Sequence, residues 1–204
     1  MTPYFHKHIR LPGRDYTQGV YFVTICAWHR SNVFGNVVKA PASNMSTQWV
    51  HATSRRTDDA HMELNDVGRI VDECWRAIAE HFPHARLDQT QIMPDHLHAI
   101  IALASPVGNG STQWVDATGA LNDDRAMDDV PARTRGPVPD SLGAIIGAFK
   151  SETTKRINRL NGITGQRLWQ PGYYERAIRR QGGEYGRIAH YIAENPAKWR
   201  RSRQ

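Results

Sequence analysis

Cysteine is scarce in this sequence: only Cys26 and Cys74 occur among 204 residues. Each stands alone in apolar surroundings, and no second cysteine lies close enough in sequence to form a paired metal-binding motif. Folds that depend on disulfides are rich in cysteine and are found mainly in oxidising compartments. We therefore predict two reduced, buried thiols and a cytoplasmic protein, associated with the nucleoid if its partner is DNA.

Long hydrophobic runs are also missing. No stretch is apolar over the roughly 20 residues that a membrane-spanning helix needs, and the polar, basic N-terminus lacks the apolar core of a signal peptide. We therefore expect no membrane partner. Hydrophobic residues still make up 40% of the chain, which is enough for the core of a single domain covering residues 1–204.

Positive charge is concentrated near the C-terminus. The whole chain has a formal net charge of +6, and from Lys150 onwards thirteen Lys and Arg residues face only four acidic residues. Such a surplus suits an anionic partner such as nucleic acid. Many basic proteins bind no nucleic acid, so the charge alone does not assign one.

Two stretches, at about 39–61 and 104–140, lack hydrophobic periodicity and are rich in small and polar residues. They share a repeat, because residues 46–53 match residues 111–118 at seven of eight positions. We interpret them as a duplicated insertion in two surface loops. The alternative is a pair of short edge strands.

The remaining pattern alternates strands and helices. We predict strands at 20–27, 86–93, 96–103 and within 168–180, and helices at 64–80, 141–158 and 184–194, the last ended by Asn195 and Pro196. This order is βαββαβ followed by a C-terminal helix. It predicts an α+β, ferredoxin-like antiparallel sheet with helices on one face, plus a C-terminal catalytic helix.

Two histidines flank one apolar residue at the start of the predicted strand 96–103. Side chains alternate along a strand, so His96 and His98 point to the same face and could share a metal ion. The alternative is a pair of surface histidines. Asp95 could orient one imidazole as a hydrogen-bond acceptor, or it could simply form a turn after Pro94.

Tyr191 and Asn195 are four residues apart in the last predicted helix region, so they share one helix face. If that face packs over the histidine pair, two imidazoles and the Asn195 carbonyl converge, a mixed set that suits Mg²⁺, Mn²⁺ or Zn²⁺. A divalent cation would help the Tyr191 hydroxyl, a poor nucleophile alone, to attack a phosphate. The alternatives are a core tyrosine and a helix-capping asparagine.

Further residues are candidates for DNA contact because aromatic faces stack on unpaired bases and cations neutralise phosphates. Tyr173 and Tyr174 are the predicted stacking residues. The predicted basic contacts are Arg10, Arg14, Lys150, Lys155, Arg156, Arg159, Arg179 and Arg180. The alternative is that the aromatic side chains, Trp169 included, are core residues and that the charges form a solvated surface.

These motifs carry a resemblance to a known family. His96-Leu97-His98 resembles the His-hydrophobe-His motif of the single-tyrosine HUH transposases. Residues 94–101, 149–151, 155–158, 169–174 and 191–196 together resemble the branch of REP-associated tyrosine transposases, and residues 10–16 and 64–71 fit the same branch. The two insertions depart from the family pattern, and the wider family more often carries Gln at the position of Asn195.

The resemblance implies a ferredoxin-like fold and cleavage and rejoining of single-stranded DNA at hairpin-forming repeats through a 5′-phosphotyrosine intermediate. It implies Tyr191 as the nucleophile and His96, His98 and Asn195 as ligands of Mg²⁺ or Mn²⁺. Relatives act as a monomer or as a homodimer in which the tyrosine helix serves the partner's site. A DNA-hairpin binder without activity and a hydrolytic metallonuclease are the alternative functions.

Overall fold

The computed structural model describes residues 16–39, 60–104, 137–179 and 182–202. Their main elements in chain order are β1 (Gly19–Cys26), β2 (Gly35–Lys39), β3 (Ala60–Leu64), α1 (Asp66–Arg76), α2 (Ile78–His81), β4 (Ala85–Met93), β5 (His96–Leu103), α3 (Leu142–Leu160), β6 (Tyr174–Ala177), α4 (Glu184–Ala193) and α5 (Asn195–Arg201). Arg10, Arg14, Arg180 and both copies of the repeat lie outside the described residues, so their predictions are not tested.

The main sheet has four strands in the order β4-β5-β1-β6, and every neighbouring pair is antiparallel. This is the strand order of a ferredoxin-like sheet, so the predicted α+β class is confirmed. Strands β2 and β3 form a separate antiparallel hairpin between β1 and α1, and α5 packs against this hairpin.

The two faces of the sheet bury different side chains because alternate residues of each strand point to opposite sides. On one face, Val23 and Ile25 of β1 join Ile145 and Ile146 of α3, together with α1, in the larger core. On the other face, the smaller apolar cluster includes Ile192 of α4, with further members Ile100, Ile178, Phe22 and Ile188. The C-terminal helix therefore covers the sheet face that α1 and α3 leave open.

Two predicted helix boundaries were wrong. Leu64 belongs to β3, and the helix begins two residues later, at Asp66, where the side chain of Asn65 accepts a hydrogen bond from the Gly68 backbone N–H at 2.9 Å. At the other end of the chain, Asn195 and Pro196 begin α5 instead of ending the tail helix. Proline is tolerated there because the first turn of a helix does not use the N–H that proline lacks.

The predicted insertion at 39–61 is narrower than the sequence indicated. Lys39 pairs with Ala60 across the β2–β3 hairpin, so the strands extend into the predicted range from both ends. Both cysteines are free and buried, as predicted. Within the described ranges, none of the helices combines the length and the hydropathy that crossing a lipid bilayer would require.

Two helical glycines give a matched test of packing. A Cβ on Gly68 would overlap the carbonyl oxygen of Phe34, whereas a Cβ on Gly147 would meet no atom within 4 Å. Gly68→Ala should lower the free energy of unfolding by about 1–3 kcal/mol, because overpacking forces the backbone to shift. Gly147→Ala should raise it by up to about 1 kcal/mol, because alanine favours the helix.

Chemical denaturation of both variants against the unsubstituted protein measures these differences. Equal stability of the two variants would contradict the close approach of α1 to Phe34.

Candidate metal centre and tyrosine site

The histidine pair lies at the start of β5, on the sheet face that α4 covers. Leu97 and Ala99 point into the larger core, so His96 and His98, which alternate with them, point to the opposite face. Their ring centroids are 4.4 Å apart, and the two side chains are only 5% and 6% exposed. The alternative of two solvent-exposed histidines therefore does not hold.

The Nδ1 atom of each ring already has a partner. Asp95 Oδ1 lies 2.5 Å from His96 Nδ1, and a carboxylate only accepts, so His96 carries its proton on Nδ1 and keeps the Nε2 lone pair. Thr24 Oγ1 lies 2.8 Å from His98 Nδ1. When His98 donates to this hydroxyl, its Nε2 is also free to bind a metal. Such fixed rings are typical of metal-binding histidines.

Electrostatics keep His98 in its neutral form. Burial, together with the neighbouring His96 ring and the Arg30 guanidinium, lowers the pKa of His98 to about 3. A protonated imidazole cannot bind a cation because it has no free lone pair. His98 is therefore in the state that a metal ligand needs at neutral pH.

Asp95 both forms a turn and orients an imidazole. Its backbone oxygen accepts a hydrogen bond from the Ala27 N–H at 2.9 Å, which closes the turn between β4 and β5 against the end of β1. Its side chain is buried and has a partner on each oxygen, His96 on Oδ1 and Arg30 on Oδ2, the latter at 3.0 Å. The two interpretations of Asp95 are thus both correct.

The C-terminal helices bring a tyrosine, an amide and a tryptophan to the histidines. Helical hydrogen bonds continue across the junction of α4 and α5, from Glu194 N–H to His190 and from Lys198 N–H to Glu194. Tyr191, Asn195 and Trp199 therefore follow one another at intervals of one turn. The ring of Tyr191 lies 5.5 Å from the His98 ring, and that of Trp199 lies 5.9 Å from the His96 ring.

Asn195 lies between these two aromatic residues and is 7% exposed. Its Nδ2 atom donates to the carbonyl of Tyr191 at 3.3 Å, so Oδ1 is the atom that it could offer to a cation. In the described part of the chain, His, Cys, Asp and Glu alone form no group of three that suits a metal. A third protein ligand from these residues would therefore be of another side-chain type, and the Oδ1 atom of Asn195 is an oxygen ligand of the kind that Mg²⁺ and Mn²⁺ bind.

Tyr191 is accessible to solvent, with 42% of its surface exposed. Its ring packs edge-on against Phe22 at 6.2 Å. Lys198 Nζ lies 5.0 Å from the centre of the ring and also pairs with Glu194 at 3.0 Å. A positive charge next to this tyrosine is well placed to attract a phosphate.

Sequence reasoning missed Thr24, Arg30, Lys198 and Trp199 as site residues. Lys198 and Trp199 lie in α5, which the sequence analysis did not predict. Their spacing of seven and eight residues from Tyr191 would have indicated them, had the helix been extended past Pro196.

The predicted phosphate contacts on α3 lie away from the histidine pair, because α3 packs on the opposite face of the sheet. Lys155 and Arg159 are exposed there, and Arg156 is ion-paired with Glu73 at 2.5 Å. Lys150 donates to the carbonyls of Gln170 and Gly172 at 2.6 and 2.8 Å. Burial lowers the pKa of Lys150 to about 8.

Tyr173, which precedes β6, and Tyr174, its first residue, lie on different faces of the sheet. Tyr173 is buried in the larger core, so its ring is not available to stack on a base, and Trp169 is buried with it. Tyr174 is 42% exposed and pairs with Thr24, which in turn pairs with His98. Tyr174 thus stands on the same face as the histidines, at the open edge of the sheet, and Arg179 is exposed beyond the end of β6.

Comparisons with known proteins give distant similarities. No protein-family model matches the sequence. The chain is 29% identical over 194 residues to an uncharacterized protein from Haemophilus influenzae, an alignment that covers 95% of this chain and 89% of that protein.

Two solved structures are also similar. One is a REP-associated tyrosine transposase bound to a REP hairpin, with a TM-score of 0.48, 16% identity and coverage of 97% of this chain and 74% of that chain. The other is a candidate transposase from Deinococcus radiodurans R1, with a TM-score of 0.41, 16% identity and coverage of 93% and 97%. Both similarities are too distant to assign a function to this chain.

Proposed function

We propose that this protein is a metal-dependent transesterase that cuts and rejoins single-stranded DNA at hairpin-forming repeats. Tyr191 is the nucleophile, and His96, His98 and Asn195 hold Mg²⁺ or Mn²⁺. One observation carries the proposal: an accessible tyrosine lies 5.5 Å, ring to ring, from a buried histidine pair of the same chain. The motif resemblance supports the same assignment.

The reaction is a balanced exchange of phosphoester bonds. The Tyr191 oxygen loses its proton and bonds to the scissile phosphorus, and the bond from phosphorus to the 3′ oxygen of the preceding nucleotide breaks. That oxygen leaves as a free 3′ hydroxyl after taking up a proton. A bound divalent cation would polarise the phosphate and offset the negative charge that develops on its oxygens. The phosphotyrosine bond keeps the phosphoester, so the same steps can run in reverse and rejoin the strand.

The chain's own residues supply substrate contacts around this centre. Lys198, next to the Tyr191 ring, would hold a phosphate oxygen near the nucleophile. Tyr174, on the same sheet face, would stack on an unpaired base, a contact worth about 1–3 kcal/mol.

Strand-specific labels test the proposal. The protein is incubated with hairpin oligonucleotides that carry a label at either the 3′ or the 5′ end, with Mn²⁺ or with EDTA, and is analysed on a denaturing gel. We expect a slow-migrating protein adduct that contains the 3′ label only, together with a shorter 5′-labelled strand, and neither product with EDTA.

Other outcomes would exclude the proposal. Cleaved strands without any adduct would identify a hydrolytic nuclease in which water attacks. Salt-dependent binding without cleavage at any metal concentration would identify a DNA-hairpin binder.

A further inference from the structure

We infer that Arg30 is a positioning residue of the candidate metal centre, and that it acts through Asp95 on His96. This inference rests on the proposed metal site and adds to it a residue outside the ligand set. Its role is to hold the Asp95 carboxylate in the one orientation that keeps His96 Nε2 free and aimed at the cation.

The contacts form a chain of three side chains. Arg30 Nε lies 3.0 Å from Asp95 Oδ2, and Asp95 Oδ1 lies 2.5 Å from His96 Nδ1. Because each carboxylate oxygen has its own partner, rotation of the carboxylate would break one contact or the other. Asp95 is 4% exposed, so water cannot easily replace a lost partner.

The backbone at Arg30 has an uncommon conformation. Residues Trp28–Arg30 form a 3-10 turn in which His29 and Arg30 have φ angles of 54° and 56°. Side chains other than glycine rarely adopt this left-handed conformation, and it persists only where surrounding contacts hold it. Here the Arg30 N–H donates to the Ala27 carbonyl at 3.0 Å, and Ala27 is itself bonded to the Asp95 backbone.

A second contact fixes the guanidinium in its plane. Arg30 Nη1 donates to the Sγ atom of Cys26 at 3.0 Å, and Cys26 pairs directly with His96 across β1 and β5. The guanidinium thus bridges the strand that ends beside the histidines and the turn that precedes them. Lysine, with one ammonium group and no planar fork, could reach Asp95 but could not make both contacts in the same way.

Loss of Arg30 has a specific expected consequence. A carboxylate without its Oδ2 partner is no longer held against rotation, and when it rotates His96 loses the acceptor on Nδ1. The imidazole can carry its proton on Nε2 instead, and that tautomer offers no lone pair to the cation. Almost half of the Arg30 side chain, 46%, is exposed, so its removal should leave the core intact.

The test measures Mn²⁺ binding without DNA, by the electron paramagnetic resonance of free Mn²⁺. The unsubstituted protein should bind, and His96→Ala should not. Loss of the direct hydrogen-bond partner of a metal ligand typically weakens metal binding by about 10–100-fold. Arg30 contacts that partner, Asp95, and not the ligand itself, so we expect Arg30→Ala to weaken Mn²⁺ binding by about tenfold, the lower end of this range, with Arg30→Lys intermediate. The control is Arg167→Ala, because Arg167 Cζ lies 5.1 Å from the centre of the ring of Trp28, which belongs to the same turn as Arg30. It should bind Mn²⁺ as the unsubstituted protein does.

A second measurement tests the inference if Arg30→Ala does not fold well. The ¹⁵N chemical shifts of the His96 ring report its tautomer directly in the metal-free protein. We expect Nδ1–H alone in the unsubstituted protein and a detectable share of Nε2–H in Arg30→Lys.

The outcomes separate the inference from the proposed function. If Arg30→Ala binds Mn²⁺ within about twofold of the unsubstituted protein and His96 keeps its tautomer in Arg30→Lys, the inference is wrong but the metal centre stands. If the unsubstituted protein binds no Mn²⁺, the metal centre itself is wrong and the inference fails with it.

Discussion

Replacing Tyr191 with Phe should abolish the covalent protein–DNA adduct and leave hairpin binding within about twofold of the unsubstituted protein. The substitution removes one oxygen atom, the proposed nucleophile, while the ring keeps its contacts with His98 and Phe22. Loss of a nucleophile in an enzyme site commonly costs more than about 10³-fold in rate, so the adduct should fall below detection. The 3′-labelled hairpin on a denaturing gel measures the adduct, and a native gel shift measures binding.

The same helix supplies a matched control. Tyr185 is also in α4 and is also 42% exposed, but its hydroxyl donates to Asp88 at 2.7 Å, away from the histidine pair. Tyr185→Phe should form the adduct at the normal rate. Adduct formation by Tyr191→Phe, or its loss in a well-folded Tyr185→Phe protein, would contradict the assignment of the nucleophile.

Replacing His98 with Ala should remove metal-dependent cleavage. His98 is held neutral by burial and is fixed by Thr24, and in the proposed site it would supply one of the two imidazole ligands. A bound cation contributes several kcal/mol to the stabilisation of a phosphoryl-transfer transition state, which corresponds to at least about 10²–10³-fold in rate. The measurement is the single-turnover rate of hairpin cleavage over a range of Mn²⁺ concentrations.

The control is a second histidine close in sequence to the nucleophile. His190 lies next to Tyr191 in α4, but it is exposed and pairs with Glu194 at 3.0 Å. His190→Ala should cleave at a rate close to that of the unsubstituted protein. A His98→Ala protein that cleaves as fast as the unsubstituted protein would show that the histidine pair has no part in the reaction. Thermal denaturation verifies that each variant is folded.

The sequence predicted the structure best where alternating side chains mark a buried strand. The predicted strand 96–103 agrees with β5 at both ends, and its alternation correctly placed both histidines on one face. The same alternation, continued to the residue before β6, could have separated Tyr173 from Tyr174, since successive side chains of extended backbone point to opposite faces. The C-terminal boundary failed for a different reason, because proline can either end a helix or begin one.

Contacts between residues distant in sequence could not be predicted in this way. Thr24 reaches His98 across 74 positions, and that pairing depends on the register of β1 against β5, which a single sequence does not specify. Lys150 is predicted to contact DNA from its place on a basic helix flank, and that prediction stands untested. Its ammonium group donates to two backbone carbonyls of the loop before β6, a contact that the sequence does not indicate.

The β2–β3 hairpin makes the protein convenient to engineer. Lys39 and Ala60 are paired neighbours, so the chain leaves the hairpin and re-enters it at nearly the same point. Joining such close ends is undemanding, because each doubling of a linker's length costs only about 0.6 kcal/mol in closure entropy. An affinity tag or a fluorescent module inserted between Lys39 and Ala60 therefore needs its own two ends only about the width of a strand pair apart to keep the β2–β3 hairpin in register.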